Sequence, residues 1–209
     1  MGILSLKQLE NYVIKKINSK IMSTIYSSSY LKSLGQYQNL NESRIFDARK
    51  DIQTSFDIFL SHSFLDKEII RGLYIELTNM GFKVYVDWII DPELNRDNVT
   101  KETATKIRNR LNMSKTLLLA ISENATVSKW MPWELGYGDG HTHKCAIIPV
   151  SETTYGSTSW KGAEYLSLYP FIKKHNNSLY VIENANRYVM FDSWFKYNMN
   201  PSYQGVNIY

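Results

Sequence analysis

Four short clusters hold the side chains able to do chemistry. Ser61-His62-Ser63 sets two hydroxyls around an imidazole, and Asp87-Trp88 puts a carboxylate beside an indole. Trp130-Met131-Pro132-Trp133-Glu134 places two indoles within a helical turn of a carboxylate, and His141-x-His143-x-Cys145 spaces three metal-binding side chains at alternate positions. Carboxylates and hydroxyls bind the hydroxyls of a sugar, while indoles stack on flat rings. The first three clusters, if brought together, therefore suit a planar, polyhydroxylated ligand. The fourth falls short of a metal site, because no further ligand stands near it and Cys145 opens an apolar run. A Cys145–His143 nucleophile pair lacks a helix terminus to activate the thiol. Glycine-rich phosphate loops of the dinucleotide or P-loop type are absent.

Composition narrows the setting. The chain has 209 residues, 44% hydrophobic and 21% charged, which fits one globular domain with attachments and excludes a disordered or fibrous chain. The net charge of +4 is too mild and too evenly spread to imply a nucleic-acid partner. Uninterrupted apolar stretches, such as 117–121, fall far short of the roughly 20 residues that cross a bilayer, so no membrane association is expected. The start lacks the basic and apolar regions of a signal peptide, and a single cysteine fits a reducing compartment; a cytoplasmic protein is expected. Aromatic residues are plentiful, with 15 Tyr, 8 Phe and 5 Trp.

The clusters need a scaffold. Leu6, Leu9, Val13, Ile17 and Ile21 recur at helical spacing, so 3–27 reads as an amphipathic helix, opened by Ser5 and Gln8 as a capping box and ended by the serines at 27–29. Residues 30–50 read as a weaker helix or a linker, broken at Gly35. Beyond residue 55 strands and helices alternate. Strands are expected at 56–61, 82–87, 116–121, 145–150 and 179–183. Helices are expected at 66–80, with Gly81 as its C-terminal glycine, at 99–113 and at 130–137, the last stopped by Gly138-Asp139-Gly140. Residues 88–98 and 122–129 read as loops, 161–175 as one more helix, and 187–209 as an aromatic tail without a period.

Such alternation predicts an α/β fold: a flavodoxin-like five-stranded parallel sheet of order 2-1-3-4-5 with helices on both faces, plus an N-terminal helical extension. The ligand crevice of such a sheet lies beyond the C-terminal ends of the strands. Ser61-His62-Ser63 ends the first strand, Asp87-Trp88 the second, and the loop after the third leads to Trp130 and Glu134. The chain divides into an N-terminal helical extension at 1–50, the α/β domain at 51–185 and a C-terminal tail at 186–209.

Four blocks then bear a resemblance. Phe56-Asp57-Ile58-Phe59-Leu60-Ser61-His62 and Gly81-Phe82-Lys83-Val84-Tyr85-Val86-Asp87 resemble the first two strands of Toll/interleukin-1 receptor (TIR) domains. Ser114-Lys115-Thr116-Leu117-Leu118-Leu119-Ala120-Ile121-Ser122 resembles the third strand, and Trp130-Met131-Pro132-Trp133-Glu134-Leu135 is similar to the Trp-x-x-x-Glu signature of NAD-cleaving members. They stand in order at suitable spacing. The loop at 88–98 departs from the pattern in having no glycine.

The resemblance implies a role for each cluster. Glu134 takes the place of the catalytic glutamate; Ser61, His62, Ser63, Asp87, Trp88 and Trp130 would touch the substrate. It implies NAD as substrate, no separate cofactor and no bound metal. Breaking the nicotinamide–ribose bond leaves an oxocarbenium-like centre, which one carboxylate can stabilise; nicotinamide departs neutral and needs no general acid. Water then gives ADP-ribose, an internal nucleophile a cyclic isomer, and another nucleophile an adduct. The layout resembles TIR proteins of bacterial anti-phage systems such as Thoeris. That implies homotypic assembly through TIR–TIR contacts and a separate effector protein reached through a nucleotide signal. Two other readings stay open: a non-catalytic TIR scaffold acting through assembly, and an enzyme of the nucleoside deoxyribosyltransferase type.

Overall fold

The apolar runs of the sequence become the parallel centre of one sheet. The computed structural model describes residues 24–37, 55–94, 100–122, 125, 128–152, 164–184 and 186–203. Strands β2 (Phe56–Ser61), β3 (Val84–Tyr85), β4 (Ser114–Ile121) and β5 (Cys145–Ser151) lie parallel in the order β3-β2-β4-β5. This is the expected order of the first four strands. Their residues are almost all buried, as covering on both faces requires. Tyr85 packs against Phe56 and Phe59 with ring centroids 5.3 and 4.9 Å apart.

The rest of the sheet differs from the five-strand expectation. Residues 171–175 are not helical: Phe171–His175 is β6, parallel to β5. The expected fifth strand is instead β7 (Ser178–Asn184), which turns back antiparallel to β6. The stretch read as a tail continues the sheet as β8 (Arg187–Met190) and β9 (Ser202–Tyr203), with the short helix α6 (Phe191–Lys196) between them. Phe191 and Phe195 close on Phe82 at 5.2 and 6.0 Å, contacts a local periodicity cannot report. Nine strands join in the described sheet, eight in sequence and one at its side.

That ninth strand is β1 (Tyr26–Ser27). Residues 24–27, read as the end of a helix, are extended. The N–H of Ile147 on β5 donates to the Pro170 carbonyl at 2.9 Å. Two residues further, Pro149 has no N–H to offer, and the β5–β6 pairing stops at Ile147↔Phe171. The N-terminal segment fills the gap that opens. Tyr26 and Ser27 pair with Val150 and Ser151, and Thr24 exchanges two backbone bonds of 2.9 Å with Lys174.

Helix α1 (Ser28–Tyr37) starts at the serines expected to end a helix, and Ser27 Oγ accepts the Tyr30 N–H at 3.2 Å. It runs through Gly35 and crosses α2 (Lys67–Asn79) at Gly72. A Cβ at Gly72 would sit 1.9 Å from the Leu31 carbonyl oxygen, so the close crossing needs glycine. The expected helix at 66–80 is α2, preceded by a 3-10 turn at Phe64–Asp66. A helical turn, α3 (Asp87–Ile90), replaces the start of the expected loop. Helix α4 (Lys101–Asn112) is capped by Thr100, whose hydroxyl accepts the Thr103 N–H at 3.1 Å.

Helix α5 (Trp130–Thr142) runs past Gly138 and Gly140 rather than stopping there. Gly138 lies against the sheet, where a Cβ would come 2.6 Å from Leu117 Cδ2, so this glycine serves close packing. Glu76 of α2 pairs with Lys174 of β6, while Glu134 of α5 meets Ser61 of β2. By register Lys174 and Ser61 lie on opposite sheet faces, so α2 and α5 cover opposite faces. Most of the helix expected over 3–27 falls within residues 1–23, which lie outside the described residues, as do 38–54, 95–99, 123–124, 126–127, 153–163, 185 and 204–209.

Candidate active site

The end of β2 and the first turns of α5 build the centre of the site. Ser61 is the last residue of β2, and Glu134 stands one turn into α5; neither side chain reaches solvent. Ser61 Oγ donates to Glu134 Oε2 at 2.5 Å across 73 positions of sequence. A bond of this length holds the carboxyl group in one orientation. Trp130 lies one turn before Glu134, 9% exposed, with its ring edge-on to Trp133 at 5.7 Å. Trp133 stacks on Tyr137 at 5.9 Å, so an aromatic file runs along α5 from the site.

A second group gathers at the same edge. His62 Nδ1 lies 2.9 Å from the Leu60 carbonyl, which can only accept, so this nitrogen bears the hydrogen. Nε2 is then the acceptor for the Trp88 indole N–H at 3.2 Å, with Asp87 Oδ1 3.4 Å away. Asp87 Oδ1 also accepts the Trp88 backbone N–H at 2.8 Å, at the start of α3. Lys67 and Arg71 of α2 lie 6.0 and 5.8 Å from the Trp88 ring. The structure thus brings Ser61 to Glu134, and His62 to Asp87 and Trp88. Trp130 enters through the helix it shares with Glu134. Ser63 is buried, and its carbonyl accepts the Asp66 N–H at 3.1 Å.

Asp66 is a residue the sequence reading did not single out. It is 3% exposed and accepts Ser122 Oγ at 2.5 Å, joining the segment after β2 to the end of β4. Only its place just after a strand end could have marked it. A cavity of about 300 Å³ opens beside this pair, with Ser28, Lys32, Lys67 and Glu152 in its wall. A larger one, about 600 Å³, lies at the opposite edge near Cys145, Tyr169 and Pro170, away from Glu134.

A salt-bridged anchor sits beneath the loop after α3. Arg110 donates to both oxygens of Asp91 at 2.8 Å, and Tyr85 donates to Asp91 Oδ2 at 3.0 Å. Burial raises the Asp91 carboxyl, but Arg110, Tyr85 and Lys106 outweigh it and hold the group below the usual carboxylate range.

The His-x-His-x-Cys cluster does not form alternate strand positions. His141 closes α5 and stacks on Tyr137, His143 takes a left-handed φ of 53°, and Cys145 begins β5. Burial, aided by Asp139, pushes the Cys145 thiol up to about 12, which suits a packing residue and not a nucleophile. Among the described residues, no three His, Cys, Asp or Glu side chains gather closely enough to hold a metal ion.

The family model described as the TIR domain matches residues 58–176, more than half of the chain. The chain belongs to the TIR domain family. It is 42% identical over 168 residues to a Bacillus cereus (strain MSX-D12) protein named "Probable 3′ cyclic ADP-D-ribose synthase ThsB′", covering 78% of this chain and 81% of that protein. A Cytobacillus dafuensis protein, provisionally named cyclic ADP-D-ribose synthase TIR2, is 29% identical over 83 residues, covering 39% of this chain and 22% of that one. The crystal structure of the TIR domain of Toll-related receptor TRR-2 from Hydra magnipapillata aligns with TM-score 0.40 at 19% identity, over 56% of this chain and 84% of that chain. β1, α1 and the segment from β7 onward lie outside the matched TIR region. Among the described residues, no helix is long and apolar enough to cross a membrane.

Proposed function

We propose that this TIR protein cleaves the nicotinamide–ribose bond of NAD and closes the ADP-ribosyl product into a cyclic nucleotide that signals to a separate effector in bacterial anti-phage defence. The observation that carries the reading is the buried carboxylate of Glu134, bonded by Ser61 at the C-terminal edge of the parallel strands. The relatives named as cyclic ADP-D-ribose synthases supply the class of product. In this reading Glu134 is the catalytic residue. Its carboxylate faces the ribose as the bond to the nicotinamide nitrogen breaks, and it stabilises the positive charge developing at C1. The bond's electron pair leaves with nicotinamide, which departs neutral. A hydroxyl or ring nitrogen of the same molecule then attacks C1; attack by a hydroxyl gives up its proton, and a new bond closes the ring.

Ser61 holds Glu134 in register with the sugar. His62, Ser63, Asp87 and Trp88 line the nicotinamide-ribose end, and Trp130 offers its ring to the ligand beside Glu134. The protein works in the cytoplasm as a homo-oligomer built on TIR–TIR contacts, without nucleic acid or membrane. The test is mass spectrometry of the products formed from NAD by concentrated, assembled protein beside a Glu134→Gln variant. A cyclic ADP-ribose isomer from the wild type and none from the variant is expected. Intact NAD in the wild-type reaction overturns the enzymatic reading in favour of a TIR scaffold. Equal turnover by both proteins removes Glu134 from the chemistry.

A further inference from the structure

Two adjacent lysines on β6 have opposite surroundings. Lys174 faces α2, where its ammonium pairs with Glu76 and lies 5.4 Å from the Tyr30 ring. Lys173 faces the other way and is 2% exposed. Among the described residues, neither a hydrogen bond nor an ion pair meets its ammonium; the contact it makes is with the Phe171 ring, 5.6 Å from the centroid. Burial draws its pKa below the ordinary lysine value. Its stem is buried and its ammonium has little water and no counter-charge among the described residues, a setting that favours an arriving anion.

Strand register locates this cation. Ser61 pairs with Leu119, Leu119 with Ile147, and Ile147 with Phe171. The four share one row on the face from which Glu134 reaches Ser61. Lys173 lies two residues beyond Phe171 in the direction of β6, hence on the same face and one row nearer the C-terminal edge. Three strand spacings, roughly 14 Å, separate β2 from β6 along that edge. The crevice of a parallel sheet runs over these strand ends.

We propose that Lys173 is the anion-binding residue of the site, taking a phosphate oxygen of the nucleotide's diphosphate while the nicotinamide ribose lies at Glu134. This rests on the reading of the chain as a dinucleotide-cleaving enzyme. Lys174, Glu76 and Tyr30 take no part, because they lie on the opposite face.

Calorimetric binding of ADP and of adenosine to the full chain tests it, with Lys173→Met and Lys173→Arg alongside. The wild type is expected to prefer ADP over adenosine. The Met variant loses roughly ten- to hundredfold in ADP affinity with adenosine unchanged, and the Arg variant retains the preference. The melting temperature of the Met variant is expected to stay close to that of the wild type, because the apolar stem is kept and no ion pair is lost. Equal ADP affinity in wild type and Met variant overturns the assignment, as does a wild type with no ADP preference. A Met variant that melts early and loses both ligands equally assigns Lys173 to structure and also overturns it. NAD cleavage in the same preparations separates the two readings. An ADP preference lost only in the Met variant, with NAD left intact by the wild type, keeps the anion site and removes the enzyme. Cleavage by the wild type with unchanged ADP binding in the Met variant does the reverse.

Discussion

The Trp88 indole donates to His62 Nε2 at 3.2 Å, and with the Leu60 carbonyl on Nδ1 it fixes the imidazole as one tautomer. Asp87 Oδ1, 3.4 Å from the same nitrogen, is an acceptor and pairs with it only in the doubly protonated imidazolium. Trp88→Phe removes the donor and keeps most of the ring. Loss of one such bond is worth about 1 kcal/mol, so NAD turnover is expected to fall roughly fivefold. The ring-nitrogen shifts of His62 by NMR report the change directly; identical shifts in wild type and variant would mean that Trp88 does not set the tautomer.

Ser61→Ala takes the donor from a fully buried carboxylate. The expected loss of stability is about 1–3 kcal/mol, read by chemical denaturation, because the glutamate keeps its burial and loses a partner. Turnover is expected to drop roughly ten- to hundredfold in kcat with a smaller effect on KM, since the serine orients the carboxylate. A raised KM with kcat unchanged would place Ser61 in substrate binding alone.

Asp91 makes stability pH-dependent. Its carboxyl titrates below the ordinary range when folded, despite burial, because Arg110, Tyr85 and Lys106 favour the anion. A depressed folded value means the contribution is complete above the ordinary carboxylate pKa and is lost as pH falls through the folded value. Thermal midpoints are therefore expected to decline on acidification below the ordinary carboxylate range. Arg110→Met should cost roughly 2–4 kcal/mol near neutrality, because it strands a buried carboxylate, and should flatten that acid slope. An unchanged slope in the variant removes the pair as its source.

Gly72→Ala and Gly136→Ala should move stability in opposite directions. At Gly72 the new carbon meets the Leu31 backbone, which cannot yield as a side chain can, so α1 must leave α2. A loss beyond about 3 kcal/mol is expected, with faster proteolysis within α1. At Gly136 nothing lies within 4 Å of the new carbon, and the gain in helix propensity is about 1 kcal/mol at most. Equal effects at the two sites would contradict the close crossing of α1 and α2.

The parallel centre of the sheet was legible because Phe56–Ser61 and Ser114–Ile121 are apolar runs bounded by polar residues, and that order alone placed the site clusters at one edge. β6 was not legible. Phe-Ile-Lys-Lys-His reads as polar, and its strand character comes from backbone pairing with β7 and with Thr24, far earlier in the chain. Gly138 read as a stop because its reason, the side chain of Leu117, belongs to another strand. The aromatic tail had no period because its helix is only six residues long: Phe191 and Phe195 meet each other at 5.1 Å one turn apart, and both close on Phe82. Within the site, Glu134 and Ser61 were visible as types at strand and helix ends; Asp66 and Lys173 were not, since what distinguishes them is burial.

Pro149 splits the sheet into a fork, and a strand from outside the matched TIR region is wedged into it. The edge of β5 beyond Pro149 is therefore completed by Tyr26 and Ser27, while Ser61 and Glu134 stand within the matched region. Substitutions in the wedge can therefore reshape that edge of the sheet without touching the Ser61–Glu134 bond.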